Sequence, residues 1–420
     1  MTGTEPAAWL APHAHVHRAW LDRELLDLLA FGRRVAVPGG GAALLGDGGT
    51  PDLDAPVHLW ITARMVHVYA LGALLGVPGS RTVAEAVLPG LAERLRDREH
   101  GGWFSAISCD GEPVTGAKSC YDHAFALLAS STAHVSGLPG AEELFADARD
   151  VFLERFWDDE AGMCVDTWDR GWGELDDYRG INANMHAVEA MLATADALGE
   201  SDESAAWVAR AERICARVVD LASTHDWRIP EHFASDWTPD LEHNRDRPAD
   251  PFKPYGATVG HGLEWARLLL QLEATLGDRA ASGLADAAAA LFARAVADGW
   301  AVDGEPGYVY TTDWEGTPVV RARMHWVAAE ASATAAALWR RTGSQGYVEW
   351  YARTWDYVDA HVRDTDGGSW WHELDEANRP SATTWAGKPD LYHAVQAVLL
   401  PRLPLAPAIA SAVARGLLDT

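Results

Sequence analysis

Two titratable residues, His261 and Glu264, stand three apart where the stretch GATVGHGLEWARLLL passes from a glycine-containing turn into an apolar helix. Cores seldom bury such groups without a partner or a task. A comparable placement recurs five more times along the chain. LWITARMVHVYAL carries Trp60 and Arg64, and KSCYDHAFALL carries Tyr121, Asp122 and His123. GINANMHAVEAML carries Asn182, Asn184, His186 and Glu189, and ARMHWVAAEASA carries His325, Trp326 and Glu330. GKPDLYHAVQAVLL adds Lys388, Asp390, Tyr392, His393 and Gln396. Histidine titrates near neutrality, where a general base works best. A helix N-terminus disfavours the imidazolium, whereas Glu264, one turn further on the same face, favours it. Glu264 is equally placed to bind substrate hydroxyls.

Each residue alone has a plainer reading. A single histidine at a helix start is more often a satisfied structural group, and His123 and His67 are read that way. Arg64 fits a helix surface, Glu330 a buried partner for it, and Asn182 a helix cap. Five of the six stretches carry a histidine near their start, which shifts the balance toward chemistry with His261 and His393 foremost. Glycoside hydrolysis needs two carboxylates flanking a bond; Glu264 and Glu330 would supply them but leave the histidines without a role. Metal-dependent sugar isomerisation needs clustered ligands, and His186/Glu189 and His261/Glu264 each put two on one helical face. That spacing is a weak signal, and the Arg, Trp and Asn of the set point instead to hydroxyl recognition. Phosphate binding has no glycine-rich strand–loop–helix motif to support it.

The elements that must hold these groups are helices. Apolar residues recur at helical spacing with almost no strand-like alternation. The pattern predicts helices near 15–36, 58–76, 81–98, 121–137, 141–157, 183–199, 203–223, 258–276, 280–298, 324–342, 344–363, 390–402 and 406–417. Those starting near 58, 121, 183, 258, 324 and 390 follow long loops at intervals of about 60–75 residues, and each is followed by a partner after a short turn. Six such hairpins predict an all-α closed toroid, its inner helix starts converging on one mouth. No hairpin buries its own apolar face, so residues 1–420 are expected to form a single domain.

Composition narrows the function classes. The chain has 420 residues, 48% of them apolar, and a net charge of −27, which disfavours a nucleic-acid partner. No run of eighteen apolar residues exists to span a membrane, and the N-terminus shows no signal-peptide pattern. Cys109, Cys120, Cys164 and Cys215 form no CxxC pair and read as reduced thiols of a cytoplasmic protein. The 20 tryptophans hint at sugar stacking, although Trp also packs helices.

At these residues the chain resembles the N-acylglucosamine 2-epimerase family, in its branch of mannose and sulfoquinovose isomerases. The resemblance rests on LWITARMVHVYALGALLG, HGGWFSAI, KSCYDHAFALLASS, NANMHAVEAML, PYGATVGHGLEWARLLL, DGGSWWHELDE and GKPDLYHAVQAVLLPRLP, in that order. It implies an (α/α)6 barrel, in agreement with the toroid. It also implies metal-free, cofactor-free proton transfer between C1 and C2 of an open-chain monosaccharide through a cis-enediol(ate). By resemblance, His261 and His393 are the acid/base pair and Arg64 steadies the enediolate. Trp60, Tyr121, Asn182, His186, Glu264, Trp326, Glu330 and Gln396 are expected to bind the substrate. The expected reaction interconverts D-mannose and D-fructose, with D-lyxose and D-xylulose as related substrates, in a monomer or homodimer. A 2-epimerase or a sulfoquinovose isomerase is the nearest alternative, and a glycoside hydrolase on the same toroid a remoter one. A sulfonate would call on Lys118, Lys253, Arg323 or Lys388. One position departs from the branch: FKPYG stands where members often carry FRPYG, so Lys253 keeps the charge without the planar fork.

Overall fold

Inner helices α2 (Leu59–Leu74), α4 (Cys120–Val135), α6 (Ile181–Leu198), α8 (Val259–Leu276), α10 (His325–Thr342) and α12 (Tyr392–Leu399) pack side by side into a closed ring. The computed structural model describes residues 11–420. Outer helices α3 (Ser80–Val87), α5 (Ala141–Arg155), α7 (Asp202–Thr224), α9 (Leu284–Gly299) and α11 (Gln345–Tyr357) each pack on the inner helix that precedes them. This is the (α/α)6 barrel expected from the hairpin period.

The two rings differ because their sequences differ. α7 buries Trp207, Val208, Ala211, Ile214, Cys215, Val218 and Ala222, one stripe at helical spacing. Each fully buried aliphatic side chain of that kind contributes roughly 1.5–3 kcal/mol. α2 and α8 are buried almost all round, as inner helices must be. A shared apolar cluster extends from Leu21 of α1 (His15–Phe31) to Val413 of α13 (Ile409–Ala414). No helix among the described residues is long and apolar enough to cross a membrane.

The sixth hairpin is built differently from the expectation. The outer partner of α12 is α1, from the other end of the chain, rather than the segment predicted at 406–417. His17 of α1 hydrogen-bonds Tyr351 of α11 at 2.8 Å, and Glu24 accepts from the Trp370 indole at 2.8 Å. α13 instead contacts α2, α4 and α6 together, across the ring. The predicted helix 81–98 also ends early, at Val87, and continues past Pro89 as a wider turn over Gly90–Arg94.

Short antiparallel ladders, absent from the periodicity reading, form the rim at the other end. The two residues before an inner helix pair with two from the next long loop: 57–58 with 106–107, 118–119 with 167–168, and 179–180 with 232–233. Residues 257–258 pair with 311–312, and 323–324 with 373–374. One further bond per ladder caps the helix. The N–H of Leu59, Cys120, Ile181, Val259 and His325 donates to the carbonyl of Ser105, Asp166, Glu231, Tyr310 and His372, respectively. The rim satisfies donors that a helix start leaves orphaned. It also sets one loop residue beside each of five helix starts.

Candidate active site

The first turns of the inner helices line a cavity at the rim. Trp60, Arg64, Tyr121, Asn182 and His186 line one side of it, and His261, Glu264, Trp326 and His393 the other. Glu330 and Gln396 do not reach it. Glu330 lies four residues beyond Trp326, about 6 Å deeper along the helix. Gln396 is likewise buried behind the wall, donating to Glu189 at 2.9 Å. Asn182 is no cap: Gly180 holds that place, and the Asn182 Oδ1 is buried without a partner.

His261 is held from the rim. Its Nδ1 lies 2.8 Å from Glu231 Oε2, so Nδ1–H donates to the carboxylate and Nε2 is the nitrogen left for a ligand. Glu231 Oε1 is 3.3 Å from the amide of Thr258, just before α8. Two glycines make this geometry possible. Gly256 turns the chain into α8 with φ of 89°, where a Cβ would meet the Thr312 carbonyl at 2.0 Å. A Cβ on Gly260 would strike the Trp326 ring at 2.3 Å. That indole lies near both histidines, its ring 5.4 Å from His261 and 5.8 Å from His393.

His393 sits in a different field. Its Nδ1 is 3.4 Å from Glu330 Oε1, close enough for an ion pair but not hydrogen-bonded. Burial, reinforced by the Arg64 charge, drives its pKa well below the ordinary value. His325 and His372 stack at 3.8 Å beside it. Burial lowers both, His372 to about 4, so these rings are neutral at pH 7.

Arg64 is pinned by Asp390 at 3.1 Å and Tyr121 at 3.0 Å, over the rings of Phe125, Trp60 and Tyr392. Burial works to deprotonate it, but Tyr121 and Asp390 outweigh that and hold it cationic. Its Nε–H has no partner, so the guanidinium keeps donors for an oxyanion. On the cavity floor, burial and the neighbouring Glu330 raise the Glu264 carboxyl well above the carboxylate range. His186, Glu189 and Glu264 bring ligand atoms within 4.8 Å of one another, a spacing suited to a metal ion. However, Glu189 already accepts from Tyr392 and Gln396, and the Arg267 guanidinium stands 3.5 Å from Glu264. The protein supplies the counter-charge itself.

The cationic residues expected to serve a sulfonate lie elsewhere. Lys118 pairs with Asp97 at 3.0 Å, Arg323 with Asp303 at 2.6 Å and Lys388 with Asp364 at 2.6 Å, each a buried pair that does not line the cavity. The Lys253 ammonium rests 3.5 Å from the Tyr178 ring, in a neighbouring apolar cavity. His123 is engaged on both nitrogens, by the Ser119 carbonyl and the Trp103 amide. His67 bonds Thr132 at 2.8 Å, away from the cavity.

Glu231, Tyr310 and His372 are the residues that sequence reasoning passed over. All three occupy the same rim position, and so do Ser105 and Asp166. Aligning the five segments WFSAI, CVDTW, IPEHF, YVYTT and WWHEL on that central residue would have found them. Phe252 and Trp385 were also missed. They pack edge to face at 5.4 Å across the mouth, and Phe252 comes from the long polar loop before α8.

The family described as N-acylglucosamine 2-epimerase (GlcNAc 2-epimerase) matches residues 40–397. The chain belongs to that family. It is 50% identical over 408 residues to a D-mannose isomerase of Thermobifida fusca, covering 97% of this chain and 98% of the relative. A D-mannose isomerase of Pseudomonas cannabina pv. alisalensis is 44% identical over 412 residues, covering 97% of each. A crystal structure of a D-mannose isomerase superposes with a TM-score of 0.83 at 26% identity, covering 90% of this chain and 96% of the other. Identity at this level, along nearly the whole length, makes this family member an isomerase.

Proposed function

We propose that the protein interconverts D-mannose and D-fructose without a metal, by proton transfer through a cis-enediol(ate). D-lyxose and D-xylulose are related substrates. One observation carries the chemistry: a histidine backed by a buried carboxylate, His261 with Glu231 at 2.8 Å, in the cavity that Arg64 also lines. The sugar comes from the similarity to the two D-mannose isomerases.

His261 removes the C2 proton of the opened aldose. Glu231 stabilises the imidazolium this creates and fixes Nε2 as the reacting nitrogen. Arg64, a fixed cation in a desolvated cavity, meets the negative charge that develops on the C1 and C2 oxygens. His393, neutral at pH 7, moves the hydroxyl proton between those oxygens. Glu264 binds a sugar hydroxyl from the floor. His261 then returns its proton to C1, giving the ketose. With Lys118, Arg323 and Lys388 in buried pairs and Lys253 on Tyr178, Arg64 is the one lysine or arginine lining the cavity among the described residues. That disfavours a sulfonated sugar.

The test is proton NMR of D-mannose with EDTA-treated enzyme in deuterated water. Fructose carrying deuterium at C1 is expected. Glucose deuterated at C2 would make the protein a 2-epimerase, and no exchange at C2 would overturn the reading.

A further inference from the structure

Beneath the cavity floor, three buried carboxylates share one cation. Arg267 follows His261 and Glu264 on α8 at intervals of three. Its Nε–H donates to Glu330 Oε2 at 2.8 Å, and its Nη2 stands 3.5 Å from Glu264 Oε1. Glu189, the third carboxylate, is held by Tyr392 and Gln396. The other oxygen of Glu330 faces His393 Nδ1, which has no hydrogen-bond partner. A chain of contacts thus runs from Arg267 through Glu330 to the second histidine of the site.

We propose that Arg267 is a positioning residue for the reaction: it fixes Glu330 with one oxygen turned to His393, supplying the anion against which His393 takes up its proton. This rests on the role given to His393 above. A buried imidazole becomes an imidazolium only if a counter-charge is already in place. The groups facing His393 leave one candidate. Arg64, from α2, repels the cation. Asp390 is an anion but is committed to Arg64 at 3.1 Å. His186, His325 and His372 are neutral rings, and Tyr392 bonds Glu189. Among the described residues, Glu330 alone places a carboxylate oxygen within 4 Å of a His393 nitrogen.

Glu330 in turn needs Arg267. Burial raises its pKa above the ordinary carboxylate value, and the neighbouring Glu189 works in the same direction. His186 opposes them only weakly, its effect on Glu330 being smaller than those of Arg267 and Glu189. Arg267 is the cation that opposes these effects, through both its charge and its hydrogen bond. Without it Glu330 binds a proton at higher pH and stops serving as the anion. The activity limb that requires ionised Glu330 then moves upward in pH.

The experiment compares pH–rate profiles of the wild type with Arg267→Met, Arg267→Lys and Glu330→Gln, each checked for folding by its thermal transition. Arg267→Met is expected to lower kcat at pH 7 by about 10–100-fold, with KM within about threefold and the acid limb raised by about one pH unit. Much of the loss should return at pH 9. Arg267→Lys should recover most of the rate, and Glu330→Gln should match Arg267→Met at pH 7 with no recovery at pH 9. An acid limb unmoved in Arg267→Met, or a uniform loss at every pH, would overturn the proposal and leave Arg267 a structural residue. His393→Ala in the same series separates the two readings: near-normal activity there would remove the role of His393, whatever Arg267 does.

Discussion

The two histidines occupy matching places, each in the first turn of an inner helix and each against a face of Trp326, yet the protein supports them from opposite directions. His261 is held from above, by a carboxylate on a rim ladder at hydrogen-bonding distance. His393 is approached from below, by a carboxylate inside the barrel at 3.4 Å that is itself tied to Arg267. Arg64 adds to the difference by depressing the pKa of His393. On the proposed mechanism, equal residues at equivalent positions are given unequal tasks. A carbon acid needs the better-backed imidazole, while moving a hydroxyl proton suits a neutral ring beside a cation.

The sharpest way to break this comparison is to remove each histidine and read two quantities separately. His261→Ala should lower kcat by about three to four orders of magnitude and abolish exchange of the C2 proton with solvent deuterium. His393→Ala should cost about two to three orders in turnover while leaving C2 exchange detectable. Equal loss of exchange in both would erase the asymmetry. Next in size, Glu231→Gln keeps the shape but removes the charge behind His261; kcat should fall by about 10²-fold with little change in KM, as for a carboxylate that orients a histidine and stabilises its cation. If Glu231→Gln shifts KM alone, Glu231 supports the rim and not the base.

Much of this site was legible because an inner helix ought to be apolar all round, so a polar residue in its first turns stands out. His261, His393, Arg64, Asn182 and His186 were visible in that way, and the cavity gathers them. Glu330 and Gln396 gave the same signal but lie deeper, since periodicity reports the face of a helix and not depth along it. Glu231 and His372 gave none. A polar residue in a loop is unremarkable, and each serves a helix start about 50 residues along the chain. The barrel was readable from its hairpin period, except where the ring closes. There the rule that neighbours in sequence are neighbours in space fails, because α1 and α12 come from opposite ends of the chain.

Arg64 tests what the two halves share. Arg64→Lys keeps a charge but cannot reach both Asp390 and Tyr121 while presenting a third donor to an oxyanion, so kcat should fall by about 10-fold or more. A rise in KM alone would make it a uniform binder of substrate and transition state.

The smallest expected effect concerns Lys253, the lysine of FKPYG. Its ammonium lies over the Tyr178 ring, and the loop that carries it also sends Phe252 across the mouth. An arginine would keep a cation on that ring, an interaction worth about 0.5–1 kcal/mol where it is exposed. Because Lys253 lines the neighbouring cavity and not the one holding the histidines, Lys253→Arg should leave kcat/KM for D-mannose within about twofold. It should confer no activity on a sulfonated sugar either, since the planar fork would still be turned toward Tyr178. A fivefold change in either direction would show that the cavity beside the mouth belongs to the substrate's path. Specificity would then be set at the rim as well as by the two histidines below it.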